Sequence, residues 1–155
     1  MNKTILILLL LIIISGCSNS NTNIISYIDI EKDLKLNQLY LEMPYEELIK
    51  LVGEEQDRDV SNDNEDEIIN LFFSDGTEIM MFEGKTYSIA VTSQEYQTPR
   101  GLRVGDSVEE LEKRYGSPTY EEEGKWSYTD EKDYIHFSVW LKNKKVTKIE
   151  INLVM

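Results

Sequence analysis

Two short segments of the chain have apolar residues at the spacing of an amphipathic helix. In the second segment, Val108, Leu111 and Tyr115 fall on one helical face. Ser107 stands three residues before Glu110, as in a capping box. A glycine and a proline follow Tyr115 closely, and these residue types are typical of a helix end. The sequence therefore predicts a short helix that begins after Ser107 and ends near Tyr115.

The first segment has the same plan around residues 44–53. Tyr45, Leu48, Ile49 and Val52 form its apolar face, and a glycine follows. Pro44 suits the first helical position, which would leave the preceding methionine as a poor N-cap. The sequence predicts a second short helix here.

After each helix, apolar and polar residues alternate in three successive runs separated by turn residues. This pattern predicts two antiparallel meanders of three strands each. The predicted strands are Ile68–Ser74, Thr77–Phe82 and Thr86–Thr92 in the first meander, and Lys125–Tyr128, Tyr134–Leu141 and Lys145–Leu153 in the second. Helix then three strands, twice, predicts an α+β fold with the helices on one face of an antiparallel sheet.

The two halves also resemble each other in sequence. Residues 39–53 align with residues 102–116 at an offset of 63, with a shared Glu-Glu-Leu and a shared terminal glycine. Residues 85–91 align with residues 145–151 at an offset of 60. We therefore predict one domain, 34–155, made of two tandem repeats, 39–98 and 99–155.

The N-terminal apolar run predicts where the protein is located. Ten apolar residues, Ile5 to Ile14, follow a lone Lys3. At 1.5 Å per residue this run covers about half of a ~30 Å hydrocarbon core, so it predicts a signal peptide, residues 1–16, and not a membrane span. The sequence Ile14-Ser15-Gly16-Cys17 resembles the lipobox of bacterial lipoproteins. That resemblance implies a diacylglyceryl group on Cys17 and cleavage just before it, with an ordinary signal peptide as the alternative.

The cysteine count and the net charge of the chain exclude an intramolecular disulfide and argue against nucleic acid and anionic lipid as partners. Cys17 is the one cysteine of the chain, so an intramolecular disulfide is excluded. Without residues 1–16 the chain has 15 basic and 29 acidic side chains, a formal charge of −14. Such a chain has no basic patch for nucleic acid and is repelled by anionic lipid, so the two acyl chains on Cys17 would be its membrane attachment. We interpret residues 17–33 as the lipidated cysteine and a flexible tether.

The turn and cap residues of the second half resemble a known fold. The stretch Thr98–Ser107, with Glu110-Leu111 and Tyr115-Gly116-Ser117-Pro118, is similar to the repeat of the β-lactamase-inhibitor-protein-like fold, which small outer-membrane assembly lipoproteins share. The resemblance covers about 115 residues and implies a protein-binding or assembly role. The first half departs from this pattern, with Glu42 and Met43 where the second has glycine and aspartate.

Catalytic chemistry has little support in the sequence. His136 is the one histidine, and it lies in a predicted strand where Ile135, Phe137 and Val139 alternate toward the core. No nucleophile elbow or paired-histidine metal motif is present in the sequence. We therefore interpret His136 as a strand surface residue, and we expect no catalytic residue, metal or cofactor.

Two acidic segments have some features of an ion-binding site. Residues 57–67 begin like a calcium loop, but Asn62 stands where the turn glycine belongs and Ile68 where the bidentate glutamate belongs. We favour a solvated loop between helix and strand. Residues 121–124 are interpreted as a polar connection.

Aromatic residues of the second meander are the better candidate for function. If they shared an exposed face they would form a strip of the composition found at binding hot spots, although they could equally pack as core. The residues of this candidate surface are Trp126, Tyr128, Tyr134, His136 and Trp140. In the inhibitor-like fold the concave sheet face binds partners, so the resemblance points to the same surface.

Taken together, the sequence predicts a lipid-anchored, non-enzymatic module that binds an envelope protein. Two alternatives are compatible with the sequence: an inhibitor or sensor of an envelope enzyme, and a hydrolase that uses carboxylates alone.

Overall fold

An eight-stranded antiparallel sheet dominates the fold. The computed structural model describes residues 35–63, 66–130 and 134–154, so the predicted signal peptide, lipidated cysteine and tether lie outside the described residues. The elements are β1 Lys35–Leu36, β2 Leu39–Tyr40, α1 Tyr45–Val52, β3 Asp57–Asp63, β4 Asp66–Phe72, β5 Glu78–Phe82, β6 Lys85–Val91, α2 Val108–Tyr115, β7 Tyr120–Glu122, β8 Lys125–Thr129, β9 Ile135–Lys142 and β10 Lys145–Leu153. This mixture of short helices with an antiparallel sheet is the predicted α+β class.

The strand order gives the sheet its shape. Strands follow the order β3-β4-β5-β6-β10-β9-β8-β7, so the last strand of each half lies at the centre and the first strand of each half lies at an edge. Strands β6 and β10 join the halves, with Ile149 opposite Val91 and Ile151 opposite Ile89. A separate two-stranded hairpin, β1–β2, precedes α1.

The two helices begin and end close to the predicted positions. Ser107 caps α2, and its hydroxyl accepts a 3.3 Å hydrogen bond from the backbone N–H of Glu110. In α1 the N-cap is Pro44 itself and not the methionine before it, and no side chain caps this helix. The prediction that Pro44 occupies the first helical position is therefore wrong by one residue, because its extended ψ of 146° places it just outside the helix.

A continuous core lies between the helices and one face of the sheet. Directly opposed residues of neighbouring antiparallel strands share a face, and one row of such residues is buried across six strands: Leu71, Ile79, Ile89, Ile151, Phe137 and Tyr128. Leu48 of α1 and Leu111 and Tyr115 of α2 belong to the same core. Tyr115 contacts Phe137 and Tyr128, with ring centroids 4.6 and 5.6 Å apart.

The hairpin β1–β2 is attached to the same side. Thr86 is buried on β6, opposite Met81 of the core. Its hydroxyl donates to the carbonyl of Tyr40 at 2.8 Å and accepts from the backbone N–H of Met43 at 2.9 Å. Both described helices and the hairpin therefore cover one face, which we call the helix face.

Each meander contains four strands, and not three as predicted. The segment 57–67, interpreted from sequence as a solvated loop, forms β3 and the start of β4, and the segment 121–124 contains most of β7. Both missed strands are edge strands of polar composition. Val60, the one apolar residue of β3, is 49% exposed, so neither strand has the alternation that sequence analysis relies on. Backbone pairing with one neighbour holds each of them, and their charges protect the sheet edges from pairing with other chains.

Candidate functional site

The face of the sheet opposite the helices is the candidate site. Register places one continuous row of opposed residues on it from edge to edge: Asp57, Phe72, Glu78, Ala90, Glu150, Ser138, Ser127 and Tyr120. Because both described helices and the β1–β2 hairpin lie on the other side, we call this surface the open face.

Trp140 is held in place on the open face by two lysines. Register places it between Lys125 of β8 and Lys148 of β10. The ammonium nitrogens stand 5.2 and 5.0 Å from the indole centroid, within the range of a cation–π contact. The half-buried ring is therefore oriented by contacts within the protein itself.

A charged network continues from Trp140 toward the centre of the sheet. Lys148 Nζ lies 3.5 Å from a carboxylate oxygen of Glu78 and 3.7 Å from one of Glu150. The hydroxyl of Ser88 donates to the other oxygen of Glu150 at 3.1 Å. Neighbouring strands thus present an aromatic ring, an ammonium group and two carboxylates along one surface.

Small side chains at the centre of the open face leave a trough. Ser127 and Ser138 share a 3.1 Å hydrogen bond, and Ala90 lies two strands away in the same row. A depression of about 130 Å³ adjoins Phe72, Glu78 and Ala90, and another of about 290 Å³ adjoins Tyr87 and His136. Because both depressions share Met80, Ser88 and Glu150, they form one continuous surface across β4, β5, β6, β9 and β10.

The predicted aromatic strip is divided between the two faces. His136 and Trp140 lie on the open face, as expected. Tyr134 precedes β9 and is 63% exposed. The prediction is wrong for Trp126 and Tyr128, which lie opposite Val139 and Phe137 and therefore face the helices. On β8 the open face instead receives Lys125, Ser127 and Thr129, because the register pairs odd-numbered residues of β8 with even-numbered residues of β9.

Tyr128 and Trp126 are packed parts of the helix face. Tyr128 is 0% exposed, and its hydroxyl donates to the carbonyl oxygen of Gly116 at 3.1 Å. Burial raises the pKa of the Tyr128 hydroxyl well above its usual range, because the phenolate would lose its hydration. Trp126 is half-buried against the core, and its indole N–H donates to Glu121 at 3.0 Å.

The polar residues of the open face were missed by sequence analysis. Lys148, Glu150 and Asn152 alternate with Ile149 and Ile151 along β10, so the alternation alone indicates which side they face. It does not indicate their neighbours, because Lys125, Glu78 and Ser88 reach them only through strand pairing. Within residues 35–63, 66–130 and 134–154, no group of three or more His, Cys, Asp or Glu is placed to hold a metal ion.

Comparisons with known proteins find little. No protein-family model matches the chain, and no curated protein matches it. Among solved structures, an extracellular protein containing an SCP domain from Bacillus anthracis str. Ames is similar at a TM-score of 0.46 and 11% identity. The match covers 72% of this chain and 43% of that one, so this chain corresponds to less than half of that protein.

Among the described residues, no helix is both long and apolar enough to cross a bilayer.

Proposed function

We propose that this chain is a lipid-anchored envelope protein whose open face binds a protein partner, without catalysis. The observation that carries the proposal is Trp140, held between Lys125 and Lys148 on the face that both described helices leave uncovered. Tryptophan supplies a large contact area with few rotatable bonds, and it is enriched at binding hot spots. Since its orientation is already fixed by two lysines, the Trp140 side chain loses little conformational entropy when a partner packs against it.

The surroundings of Trp140 fit a protein interface better than a reaction centre. Glu150 is hydrogen-bonded to Ser88 and lies close to Lys148, and Lys148 also lies close to Glu78. Lys148 offsets part of the negative charge of the two carboxylates, and the three groups lie along a broad, shallow surface. A trough of this kind suits a protein surface more than the enclosed pocket that holds a small substrate.

Membrane attachment is the second part of the proposal. Its support is the sequence Ile14-Ser15-Gly16-Cys17 after a ten-residue apolar run. A diacylglyceryl group on Cys17 would supply two acyl chains at about 0.8 kcal/mol per buried CH₂, enough for stable attachment. The formal charge of −14 on the remaining chain would then hold the domain away from anionic lipid.

We also infer that the two halves are copies of one repeat. The sequence offsets of 63 and 60 relate the contacts of α1 to those of α2. The backbone bridge Pro44–Lys85 has its equivalent in Ser107–Lys145. The hydrogen bond from the N–H of Tyr45 to Gly84 has its equivalent between Val108 and Lys144 at the same offsets.

A backbone conformation favours the same inference. Gly105 has φ +94°, and Glu42, which occupies the equivalent position, has φ +65°. An ordinary side chain rarely adopts positive φ. The left-handed turn before the helix is therefore present in the first half even though its glycine is absent, which fits descent from one repeat.

The protein-binding role is tested by photo-crosslinking from the open face in living cells. A photoreactive residue in place of His136 should crosslink a discrete protein partner, whereas the same residue in place of the exposed Lys113 on α2 should not. Trp140→Ala should abolish the crosslink without changing the melting temperature. Trp126→Ala, on the helix face, should leave the crosslink of the folded protein unchanged. Equal crosslinks from both positions, or a crosslink that survives Trp140→Ala, would contradict the proposal.

The identity of the crosslinked protein separates assembly from inhibition. If the partner is an envelope enzyme whose activity falls when this protein is added, the inhibitor alternative is correct. Attachment is tested separately by Cys17→Ala, which should move the protein from the membrane fraction to the soluble fraction. Retention of that variant in the membrane would show that the lipid anchor has been wrongly assigned.

A further inference from the structure

Phe72 is an exposed ring flanked by two carboxylates at one end of the open face. Its side chain is 38% exposed, unusual for a phenylalanine within a sheet. Asp57 of β3 and Glu78 of β5 are its direct cross-strand partners, one on each side. Opposed side chains of this kind have Cβ atoms about 5 Å apart. The ring therefore lies between two negative charges, with its surface accessible from solvent.

The depression of about 130 Å³ adjoins this ring and adds a third carboxylate. Phe72, Glu78 and Glu150 line it, together with Met80 and Ser88. Lys148 lies at the far side, close to Glu78 and Glu150. The side nearer Phe72 and Asp57 is therefore the negatively charged side of the depression.

The same protein shows how such a combination of groups binds a cation. On the helix face, the guanidinium of Arg58 lies 5.3 Å from the ring centroid of Tyr45 and bonds the carboxylate of Glu55, with Nε to Oε1 at 2.9 Å. Within the described part of the chain, cations stand over the rings of Tyr45, Tyr115 and Trp140. Phe72 has the ring and the carboxylates but no such cation.

We propose that Phe72, Asp57 and Glu78 receive an arginine side chain of the protein partner. The inference rests on the proposed function and assigns the chemistry of one contact within it. Arginine fits better than lysine, because a planar guanidinium stacks on an aromatic ring and its five N–H donors serve carboxylates on both sides at once. The remaining negative charge of the chain would steer a basic partner surface toward this end of the open face.

The binding test uses a capped peptide, acetyl-Gly-Arg-Gly-amide, titrated into the ¹⁵N-labelled chain without residues 1–16 and with Cys17→Ser. Amide shifts should concentrate at residues 70–72 and 78–80, and the matched Gly-Lys-Gly peptide should bind at least about threefold more weakly. Glu78→Gln and Phe72→Leu should each weaken arginine binding at least about threefold. The control Glu109→Gln, which removes one exposed carboxylate from α2, should leave the affinity unchanged.

Other outcomes would overturn the assignment. Shifts spread evenly over the acidic residues of α2 would mean unspecific attraction to a negative chain. Equal binding of the two peptides, or affinity that survives Phe72→Leu in a variant with an unchanged amide spectrum, would show that the ring does not receive a guanidinium. A partner crosslinked from position 136 while the arginine peptide fails would leave the proposed function in place and remove only this contact. If the arginine peptide binds as predicted but position 136 crosslinks no partner, the proposed function would be wrong and the arginine site would stand.

Discussion

The two faces of the sheet are built from alternating residues of the same strands, yet they differ in composition. The helix face carries an unbroken row of apolar residues from Leu71 to Tyr128, each no more than 1% exposed. The open face carries a row in which aromatic, acidic, small and hydroxyl side chains follow one another from Asp57 to Tyr120. Packing against the helices selects apolar residues on one face. On the other face the row is mostly polar or small, although Ala90, Ser127 and Ser138 at its centre are also buried.

The two tryptophans show the same difference at single residues. Trp126 packs against the core and bonds Glu121, whereas Trp140 lies between two lysines on the open face. One ring is oriented by hydrophobic packing, and the other is oriented by electrostatic contacts at a surface. An aromatic residue in a strand therefore indicates function only once its face is known.

The largest expected difference between the faces is in side-chain truncation on β9. Phe137→Ala should cost about 3–5 kcal/mol of unfolding free energy, because it opens a cavity between Tyr115 and Tyr128. His136→Ala, one residue away on the open face, should cost less than about 1 kcal/mol. Urea denaturation of both variants measures the difference, and equal costs would mean that the open face is also packed.

A polar substitution on β6 sharpens the comparison. Thr86→Val should cost about 1–3 kcal/mol, because it leaves the buried N–H of Met43 and the carbonyl of Tyr40 without their hydroxyl partner. Ser88 lies on the open face, because the β5–β6 register shifts between Thr86 and Ser88. Ser88→Ala should cost about 0.5–1 kcal/mol or less, because its partner Glu150 remains accessible to water. Thermal unfolding of the two variants checks the ranking, and a larger cost for Ser88→Ala would reverse our assignment of the buried face.

Alkaline pH should weaken the helix face through Tyr128. Burial raises the pKa of this hydroxyl in the folded state, whereas in the unfolded chain it titrates near 10. Above about pH 10 the unfolded chain releases a proton that the folded chain keeps. The stabilising contribution is therefore complete below pH 10 and falls as pH rises.

The measurement is the unfolding free energy of the wild type and of Tyr128→Phe between about pH 8 and 11. The variant should lose stability at pH 8, because the hydrogen bond to Gly116 is absent, and its free energy should then fall less steeply with pH. An unchanged slope would show that Tyr128 is accessible to hydroxide in the folded state.

The smallest expected effect is in fluorescence quenching of the two tryptophans. In the variant Trp126→Phe, the remaining Trp140 should be quenched more by iodide than by caesium, because Lys125 and Lys148 attract the anion. In the variant Trp140→Phe, the remaining Trp126 should show no preference for iodide, because the carboxylate of Glu121 lies beside it. Stern–Volmer constants for iodide and caesium measure the preference in each variant. The control adds Lys125→Gln and Lys148→Gln to the Trp126→Phe variant. Iodide preference that survives in the control would contradict the placement of the lysines.

Much of the helix face could be predicted from the sequence. The strands β4, β5, β6, β9 and β10 were located within two residues at their ends, and Ser107 was correctly assigned as a helix cap. These elements have strong local signals, either an apolar alternation or a capping side chain. The edge strands β3 and β7 have neither, since backbone pairing with one neighbour holds them. No local pattern in the sequence therefore predicts strands there.

The open face could be predicted only in part. Alternation along β9 correctly placed His136 and Trp140 on the side away from the helices. The same reasoning could not place Trp126 and Tyr128, because the face of β8 depends on its register with β9 and not on its own short sequence. The contacts of Trp140 with Lys125 and Lys148 join three strands that are distant along the chain.

The sequence by itself determined the fold class, the two helices, the buried alternation of the central strands and the strongly negative charge of the chain. These properties depend on residues close together in the chain, where periodicity, caps and composition act directly. Only the tertiary structure decided which aromatic residues share a face, that β3 and β7 complete the sheet, and that Phe72 lies between Asp57 and Glu78. Those properties depend on strand register, which is fixed by burying one whole face against the helices, and no single segment of the chain contains that information.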